Sequence, residues 1–471
     1  MSDTKTIRAK VLDLAFQGKL TEQDRLEGTG SELYDEIQSS KKKQIQWPEI
    51  DLSTVPCQIP DSWKWAWFLS VINIAANLVP PDKYRDYMHI APDNIEKATG
   101  KLYPCKTVGE DRVTSANHLF EKGQIIYSKI RPRLRKVVIA PFDGLCSADM
   151  YPLKTPLDTD YVFYYLLSDV FNQQVVEATS NRVLLPKINK NEMRKICIPL
   201  PPLAEQRRIA QTIAVTFAEL DMIDEFQSQY AHNVETLTIK LFDAGLRGKL
   251  TEQLPEDGTA EELYQQIQAE KQELVKAKRI KREQPLPPIE TKDIPFPIPA
   301  NWKWVRLGDI ARKIASGSTP TGGRNSDVYV RNGYCLFREQ NVYNDGIHEE
   351  GMVYITEELL ATRENSTVYA GDILLNITGG SIGRCAVVPD SFDRGSVNQH
   401  ILIIRMIDER LRHYIHKVIC SPYAQKYINQ KAFGDKGGFS GTRCKMMPIP
   451  LPPLEEQKRI VERIDGIYAL I

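Results

Sequence analysis

Apolar residues recur every three or four positions through the middle of the chain. This spacing is typical of a helix that packs along its whole length. The 33 residues from Ile209 to Leu241 would form a rod of roughly 50 Å at 1.5 Å per residue. The prolines in IPLPP (198–202) favour a helix start directly after them. The stripe comprises Ile209, Ile213, Phe217, Leu220, Ile223, Phe226, Tyr230, Val234, Leu237 and Leu241.

A second stripe is split between the two ends of the chain. It runs through Ile460, Ile464, Tyr468 and Ile471, and it resumes at Ile7 and Val11. Two related stripes of this length predict two long helices that pack on each other as an antiparallel coiled coil.

Short β-like runs separated by turn residues fill two other stretches of the chain. The runs GQIIYSKI (123–130) and GDILLNI (371–377) align at an offset of 248 residues, which indicates a common ancestor. Both stretches begin at a WKW strand, and the Pro-rich segment 284–299 predicts a stiff connector into the second. The predicted fold class is α+β. Further runs lie at 137–142, 385–390 and 400–406.

Three other segments of the chain occur twice, in the same order. KVLDLAFQGKLTEQ (10–23) matches 240–253 at an offset of 230 residues. IPDSWKW (59–65) matches 298–304 at an offset of 239, and IPLPPLAEQRRIA (198–210) matches 449–461 at an offset of 251. Internal duplication is therefore the dominant pattern.

The ends of the chain fall inside this repeat. Ile471 corresponds to Leu220 and Met1 to Ala231, so that only residues 221–230 lack a second copy. We therefore expect a pseudo-two-fold cyclic repeat that is opened within one helix, with the two termini close in space.

These patterns divide the chain into five parts. Two mixed α/β domains are separated by the conserved helices. The predicted boundaries are 1–59 (N-terminal helical region), 60–195 (first domain), 196–299 (central helix and connector), 300–447 (second domain) and 448–471 (C-terminal helix).

Charge separates the domains from the helical regions. The chain has 61 basic and 61 acidic residues, but 60–195 and 300–447 each hold 19 basic and 15 acidic residues, a net charge of +4. The remainder holds 23 basic and 31 acidic residues, a net charge of −8. The domains are thus suited to meet a polyanion. No apolar run is long enough for a membrane span and the start lacks a signal peptide, so we expect a soluble cytoplasmic protein.

A basic run in the first domain is the sharpest candidate site. Five cations lie within eight residues, with no acidic residue between Lys122 and Phe142. This pattern is typical of phosphate contact, and arginine also pairs with guanine. A solvated strand end would show the same composition. The candidate residues are Lys129, Arg131, Arg133, Arg135 and Lys136.

The second domain offers amides and Gly-rich turns instead. Asn and Gln can pair bidentately with adenine, and Gly-rich turns let a backbone approach phosphates. The segments are SGSTPTGGR (316–324), FREQNVYN (337–344), SVNQH (396–400) and GDKGGFSGTR (434–443). The candidate residues are Ser318, Thr319, Arg338, Gln340, Asn341, Asn398, Gln399 and His400.

Motifs for catalysis are missing from the sequence. It has no methyl-donor pocket motif, no DPPY or NPPY loop and no GxxxxGK[ST]. Glu456 and Lys458 match a nuclease-like Glu-x-Lys but lie at a helix start, where a plain helix face explains them. The eight cysteines are scattered without a CxxC pair, and His413 with His416 suits a solvated helix face better than a metal site.

The chain resembles the specificity subunits of type I restriction-modification systems. The resemblance rests on the duplicated PLPPLxEQ motif, the QGKLTEQ and RGKLTEQ segments, the paired IPxxWKW segments and GSTP, and it covers essentially the whole chain. It implies two target-recognition domains held apart by an antiparallel pair of helices, each domain reading one half of a bipartite double-stranded DNA site. The helix length would set the spacer between the half-sites.

The resemblance also implies partners. In that family, two modification subunits methylate adenine with S-adenosylmethionine, and restriction subunits use ATP and magnesium to translocate and cleave DNA. The chain itself would bind no cofactor or metal and would be non-catalytic. Two alternatives stay open: a self-sufficient restriction or modification enzyme, which needs the missing motifs, and a coiled-coil scaffold, which needs no basic domains.

Overall fold

The computed structural model describes residues 3–41, 45–179, 186–318, 328–432 and 438–470. The chain forms two compact units, Met1–Gln229 and Tyr230–Ile471. Within the described ranges, no helix combines the length and the apolar character that crossing a membrane requires. The expectation that the termini are neighbours involves Met1 and Ile471, which lie outside the described residues.

The first unit combines short helices with small sheets. Its helices are α1 (Thr4–Phe16), α2 (Gly30–Ser39), α3 (Phe68–Val71), α4 (Thr159–Leu167), α5 (Asp169–Ala178), α6 (Lys190–Met193) and the first part of α7 (Leu203–Leu246). Its strands are β1 (Lys64–Trp67), β2 (Asn73–Ile74), β3 (Leu78–Val79), β4 (Met88–Ile90), β5 (Asn117–Phe120), β6 (Ile125–Ser128), β7 (Val137–Ile139), β8 (Gly144–Cys146), β9 (Met150–Lys154) and β10 (Cys197–Leu200).

The second unit has the same kinds of element. Its helices are the rest of α7, α8 (Ala260–Lys276), α9 (Leu307–Ile310), α10 (Glu357–Ala361), α11 (Arg412–Cys420), α12 (Pro422–Lys431), α13 (Gly441–Lys445) and α14 (Leu454–Tyr468). Its strands are β11 (Lys303–Arg306), β12 (Ala311–Ser316), β13 (Tyr329–Val330), β14 (Tyr334–Phe337), β15 (Val342–Tyr343), β16 (Gly346–Ile347), β17 (Val353–Ile355), β18 (Thr367–Tyr369), β19 (Ile373–Asn376), β20 (Cys385–Val387), β21 (Arg394–Val397), β22 (Ile401–Met406) and β23 (Pro448–Leu451).

One four-stranded sheet has the same strand order in both units, and the other large sheets share three core strands. The order β2-β9-β6-β7 in the first unit corresponds to β12-β22-β19-β20 in the second. In the other large sheet, β4 pairs with β8 in parallel and β5 pairs with β8 antiparallel, just as β14 and β18 pair with β21. A shared strand order that includes the same parallel pair supports the duplication that the sequence indicates.

Each domain is closed by its first and last strands. Antiparallel β1 and β10 pair Lys64 with Leu200, and antiparallel β11 and β23 pair Lys303 with Leu451. The WKW strands are confirmed. The IPLP segments were expected only to start helices, but the structure makes them buried strands that precede α7 and α14. The two ends of each domain therefore lie side by side.

The long helix α7 is confirmed and is longer than the apolar stripe predicts. Its 44 residues span about 66 Å at 1.5 Å per residue. Ile209 and Leu241 near its ends are buried, whereas Ile223 and Phe226 in its middle are exposed. Packing of the apolar stripe along the whole length is therefore a wrong expectation, because the described residues leave these apolar side chains in the middle of α7 uncovered.

Those contacts are antiparallel within each unit. In the first unit, the Thr4 hydroxyl of α1 donates to Asp224 at 2.6 Å, and Arg8, one turn further on, pairs with Asp221 at 2.9 Å. In the second unit, Tyr468 of α14 packs on Phe242, while Ile460 and Ile464 lie against Gly245. Short antiparallel helix pairs therefore stabilise α7 in both units.

The three repeated segments meet at a buried glutamate in each unit. In the first, Glu205 near the start of α7 accepts from the Trp63 indole Nε1 at 2.9 Å and from Gln23 Nε2 at 3.1 Å. Burial raises the pKa of Glu205, against the opposing effect of these hydrogen bonds. The carboxylate thus joins the PLPPLxEQ, IPxxWKW and GKLTEQ segments.

The second unit repeats this cluster. Glu456 accepts from Trp302 Nε1 at 2.8 Å, from Gln253 Nε2 at 2.8 Å and from the Thr251 hydroxyl at 3.1 Å. The glycine of the GKLTEQ segment is also required. Gly248 has a φ of +65°, and a Cβ there would lie 2.4 Å from Pro299 Cγ.

We predict that replacing Trp302 by Phe destabilises the second unit more than replacing Trp304 by Phe. Both changes remove similar volume. However, Trp302 donates to the buried Glu456, whereas the buried Trp304 Nε1 has no acceptor among the described residues. We expect an extra cost of about 1–3 kcal/mol for W302F, measured by urea unfolding of the full chain. Equal effects of W302F and W304F would contradict the proposed weight of this hydrogen bond.

Candidate nucleic-acid interface

The basic run of the first domain forms the loop between β6 and β7. Pro132–Leu134 is a short 3₁₀ turn, and it is flanked by Arg131 and Arg135, both with a φ of +48°. Non-glycine residues rarely adopt this left-handed conformation, so the loop has a specific shape that its neighbours hold in place.

Two of the five cations hold the loop. Arg135 donates to the carbonyl of Leu167 at the end of α4, at 2.9 Å, and pairs with Asp169 at the start of α5. Lys136 Nζ donates to the carbonyl of Pro92 at 2.6 Å. These two side chains fix the loop to the body of the domain, and neither is exposed.

Lys129 is only partly accessible to solvent. It is half-buried and its Nζ lies 5.1 Å from the centre of the Tyr151 ring. Burial, followed by the nearby positive charge of Lys187, lowers the pKa of Lys129. Lys187 itself pairs with Asp149 at 2.7 Å.

Arg131 and Arg133 are the cations that face solvent. Both side chains are exposed, and neither forms an ion pair with any residue in the part of the chain that the structure describes. An exposed, unpaired guanidinium on a shaped loop is available to a phosphate or to a guanine edge.

The equivalent loop of the second domain lies between β19 and β20. At the offset of 248 residues, Thr378, Gly379 and Gly380 correspond to Ile130, Arg131 and Pro132. Gly379–Ser381 is again a 3₁₀ turn, and a Cβ on Gly379 or Gly380 would meet nothing within 4 Å. This loop therefore presents open backbone where the first domain presents arginine.

The structure brings two of the predicted segments together beside this loop. Asn398 Nδ2 donates to Glu339 at 2.9 Å, which joins SVNQH to FREQN. Burial, the largest single effect, opposes ionisation of Glu339, but the hydrogen bond from Asn398, a backbone hydrogen bond and the charges of His400 and Arg338 together lower its pKa. His400 Nδ1 lies 2.7 Å from the Thr378 hydroxyl, and Gln399 is exposed. A polar surface of amides, imidazole and a carboxylate results.

Other predicted residues support the shape of this surface. Arg338 donates to the carbonyl of Gly351, and the exposed Gln340 lies 3.4 Å from the same carbonyl. Asn341 is fully buried, accepts from the Arg338 backbone N–H at 3.1 Å and donates to the His348 carbonyl at 3.0 Å. Asn341 therefore stabilises a turn and does not face solvent.

The first domain contains the same turn. Asn94 accepts from the Ala91 backbone N–H at 2.8 Å, as Asn341 does from Arg338. Ser318 is exposed and its carbonyl accepts from Arg363. Thr319 lies outside the described residues.

Sequence reasoning overlooked Thr378, Gly379 and Gly380. The alignment of GQIIYSKI with GDILLNI was the signal that could have found them, because it continues directly into both loops. It also overlooked the spacing of His416 and Cys420 on one face of α11. The structure separates His413, which is exposed, from His416, which is buried. Glu456 does not lie on an open helix face but is buried in the cluster with Trp302.

Comparison with known proteins connects this architecture to one family. Residues 81–224 and 299–471, more than half of the chain, match the family described as the type I restriction modification DNA specificity domain. The chain belongs to this family. The two matched segments reflect the two units of the structure.

Named relatives agree with the family. The Type I restriction enzyme EcoDI specificity subunit of Escherichia coli is 38% identical over 275 residues, which cover 57% of this chain and 60% of that subunit. The EcoAI specificity subunit of the same organism is 23% identical over an alignment of 533 positions that covers 98% of this chain and 88% of the relative.

Two solved structures share the fold of this specificity-domain family member. A chain from work on complex assembly and conformational transition of the type I R-M system has a TM-score of 0.59 and 20% identity, covering 88% of this chain and 92% of its own length. The HsdS subunit from Thermoanaerobacter tengcongensis has a TM-score of 0.51 and 20% identity, covering 88% and 91%. These likenesses confirm the α+β fold with a long helix between two domains.

We predict that replacing Arg135 by Ala lowers stability by about 1–2 kcal/mol, because it leaves Asp169 and the carbonyl of Leu167 without this partner. The double substitution R131A/R133A, which removes two exposed side chains, should leave the melting temperature of the full chain unchanged. Thermal unfolding followed by circular dichroism measures both. A loss of stability in R131A/R133A that matches the loss in R135A would show that the exposed arginines also hold the loop.

Proposed function

We propose that this chain is the DNA sequence-recognition subunit of a type I restriction-modification complex, and that each domain reads one half of a bipartite double-stranded site. The observation that carries this proposal is the equivalence of the β6–β7 and β19–β20 loops. Both follow matching strands of matching sheets, and each presents groups suited to nucleic acid.

The two loops favour different contacts. In the first domain, Arg131 and Arg133 provide charge for phosphates and forked donors for guanine. In the second, the open backbone of Gly379 and Gly380 can approach a phosphate, while Gln399 can pair with adenine. Different chemistry on one scaffold is what an asymmetric site requires.

The remaining candidates contribute to different degrees. His400 and Gln340 lie at the same surface as Gln399, and Lys129 lies beside the arginines of its loop. Asn398 and Arg338 orient these segments, and Ser318 borders the second surface. We assign positioning roles to Arg135, Lys136 and Asn341, because their hydrogen bonds go to the body of their own domains.

The helical regions suit partner proteins rather than DNA. Their net charge of −8 opposes a polyanion. Ile223 and Phe226 expose apolar surface on α7, which suits docking of two modification subunits. Restriction subunits complete the complex. S-adenosylmethionine, ATP and magnesium would then be used by these partners, this chain would be non-catalytic, and its location would be the cytoplasm, where chromosomal DNA lies.

The length of α7 would set the spacer between half-sites. A helix of about 66 Å extends over close to two turns of B-DNA at roughly 34 Å per turn. Because a helix is stiff, adding or removing turns would change the spacer without changing either half-site.

We predict that R131A/R133A weakens DNA binding by the complex of this chain with its modification subunits. Two lost phosphate contacts should reduce the salt-dependence slope of log K by about two and the affinity at least about tenfold. Fluorescence anisotropy over a salt series measures both.

The matched control is K122A/K154A. These exposed lysines lie at the opposite end of the same sheet, because β9 runs antiparallel to β6. The control loses the same charge and should retain affinity and slope. An equal loss of affinity in both variants would show that binding depends on overall charge and not on the position of the arginines.

We also predict that exchanging residues 300–447 for the equivalent block of a relative changes one half-site only. The paired strands β11 and β23 keep the ends of the block together, so the first domain and α7 stay intact. Mapping methylated adenines in host DNA reads both half-sites and the spacer. A change in both half-sites would refute the proposal that each domain reads its half-site independently. In a separate assay, the purified chain alone should transfer no methyl group.

A further inference from the structure

A cluster of soft metal-binding side chains lies in the second unit. Cys385 of β20 and His416 and Cys420 of α11 place their sulfur and imidazole ligand atoms within 4.8 Å of one another. Tetrahedral zinc, with Zn–S of about 2.3 Å and Zn–N of about 2.0 Å, needs ligand separations of roughly 3.5–3.8 Å. Small side-chain movements would close the difference.

The three ligands lie on regular secondary structure. His416 and Cys420 are four residues apart on one helix and therefore share a face. Cys385 starts a strand that pairs with β19, and it is fully buried. Cys420 is only partly buried.

The fold itself does not need these residues. The first unit packs α4 on β7 just as the second packs α11 on β20. Aligning the serines that follow α4 and α11 places Phe163 and Leu167 at the positions of His416 and Cys420. The offset of the β6 and β19 loops places Val137 at the position of Cys385. Three apolar residues in one unit are thus three metal-ligand types in the other.

The imidazole is already oriented toward the cysteines. His416 Nε2 lies 2.9 Å from the Cys385 carbonyl and 3.4 Å from Cys420 Sγ. We propose that Cys385, His416 and Cys420 bind one zinc ion, with water in the fourth position. Binding would release the thiol protons and exchange the hydrogen bond of His416 for a metal bond.

The site would fasten α11 to the strand that follows the β19–β20 loop. The backbone carbonyl of Arg384, next to Cys385, accepts from the Asn376 backbone N–H at 2.8 Å and so closes that loop. Zinc would therefore stabilise the second unit whether or not the proposed DNA function holds.

The test uses the full chain, reduced and stripped with a chelator. Titration with cobalt(II) should give one equivalent of tetrahedral, thiolate-ligated ion by absorption, and zinc should displace it and raise the melting temperature. H416F should lose at least about a hundredfold in zinc affinity, since even residues that only orient ligands cost 10–100-fold. C420S removes one of the two thiolate ligands, so the thiolate-dependent absorption of bound cobalt should decrease.

Two matched controls lie in the same unit. H413F changes the exposed histidine of the same helix, and C335S changes a half-buried cysteine of β14, so both should bind zinc like the unchanged chain. H416F carries the residue found at the twin position, and circular dichroism confirms its folding independently of metal. The proposal is overturned if the reduced chain takes up no stoichiometric metal, or if H416F and C420S take up as much as the unchanged chain. A Cys385–Cys420 disulfide in chain isolated without reductant would also overturn it.

Discussion

A buried carboxylate near the start of a helix is the constraint on which both units depend. Removing a glutamate from water is costly unless hydrogen bonds and local charge compensate for it. Glu205 and Glu456 lie where the positive end of the helix dipole favours them, and each accepts from a tryptophan and a glutamine supplied by other segments. Three segments that are far apart in sequence are thereby held at one point. This explains why these segments are duplicated so faithfully while the chain between them diverges.

The same cluster leaves the domains free to vary. The tryptophan that donates to the glutamate directly precedes the first strand of each domain, and the last strand leads into the helix that carries the glutamate. Because β1 pairs with β10 and β11 pairs with β23, each domain begins and ends beside its cluster. The loops after β6 and β19 take no part in it. They can therefore hold arginine in one domain and glycine in the other without disturbing the frame.

The sequence predicted the helices and strands better than it predicted the roles of the candidate DNA-binding residues. Periodicity and repeats predicted α7, the WKW strands and the β runs, because these depend on local pattern. The IPLP strands were missed, since proline argues against strands, yet each pairs with only one partner strand and can lack ladder donors. Among the candidate residues, Arg135 could not be separated from Arg131 and Arg133, because its partner Asp169 lies 34 residues away. Asn341 was less hidden, since it caps a turn only three residues long that Asn94 repeats.

The histidines of α11 show the same limit at the level of one helix turn. Residues three and four positions apart both share a helical face, so sequence alone could join His416 to His413 or to Cys420. The structure decides this by burial, because His416 is buried against Cys385 of β20 whereas His413 is exposed. The twin helix α4 carries Phe163 and Leu167 there, so burial alone is satisfied by apolar residues. Sulfur and imidazole atoms at positions where the fold accepts hydrocarbon exceed what packing requires, and a soft cation matches the ligand atoms that are present.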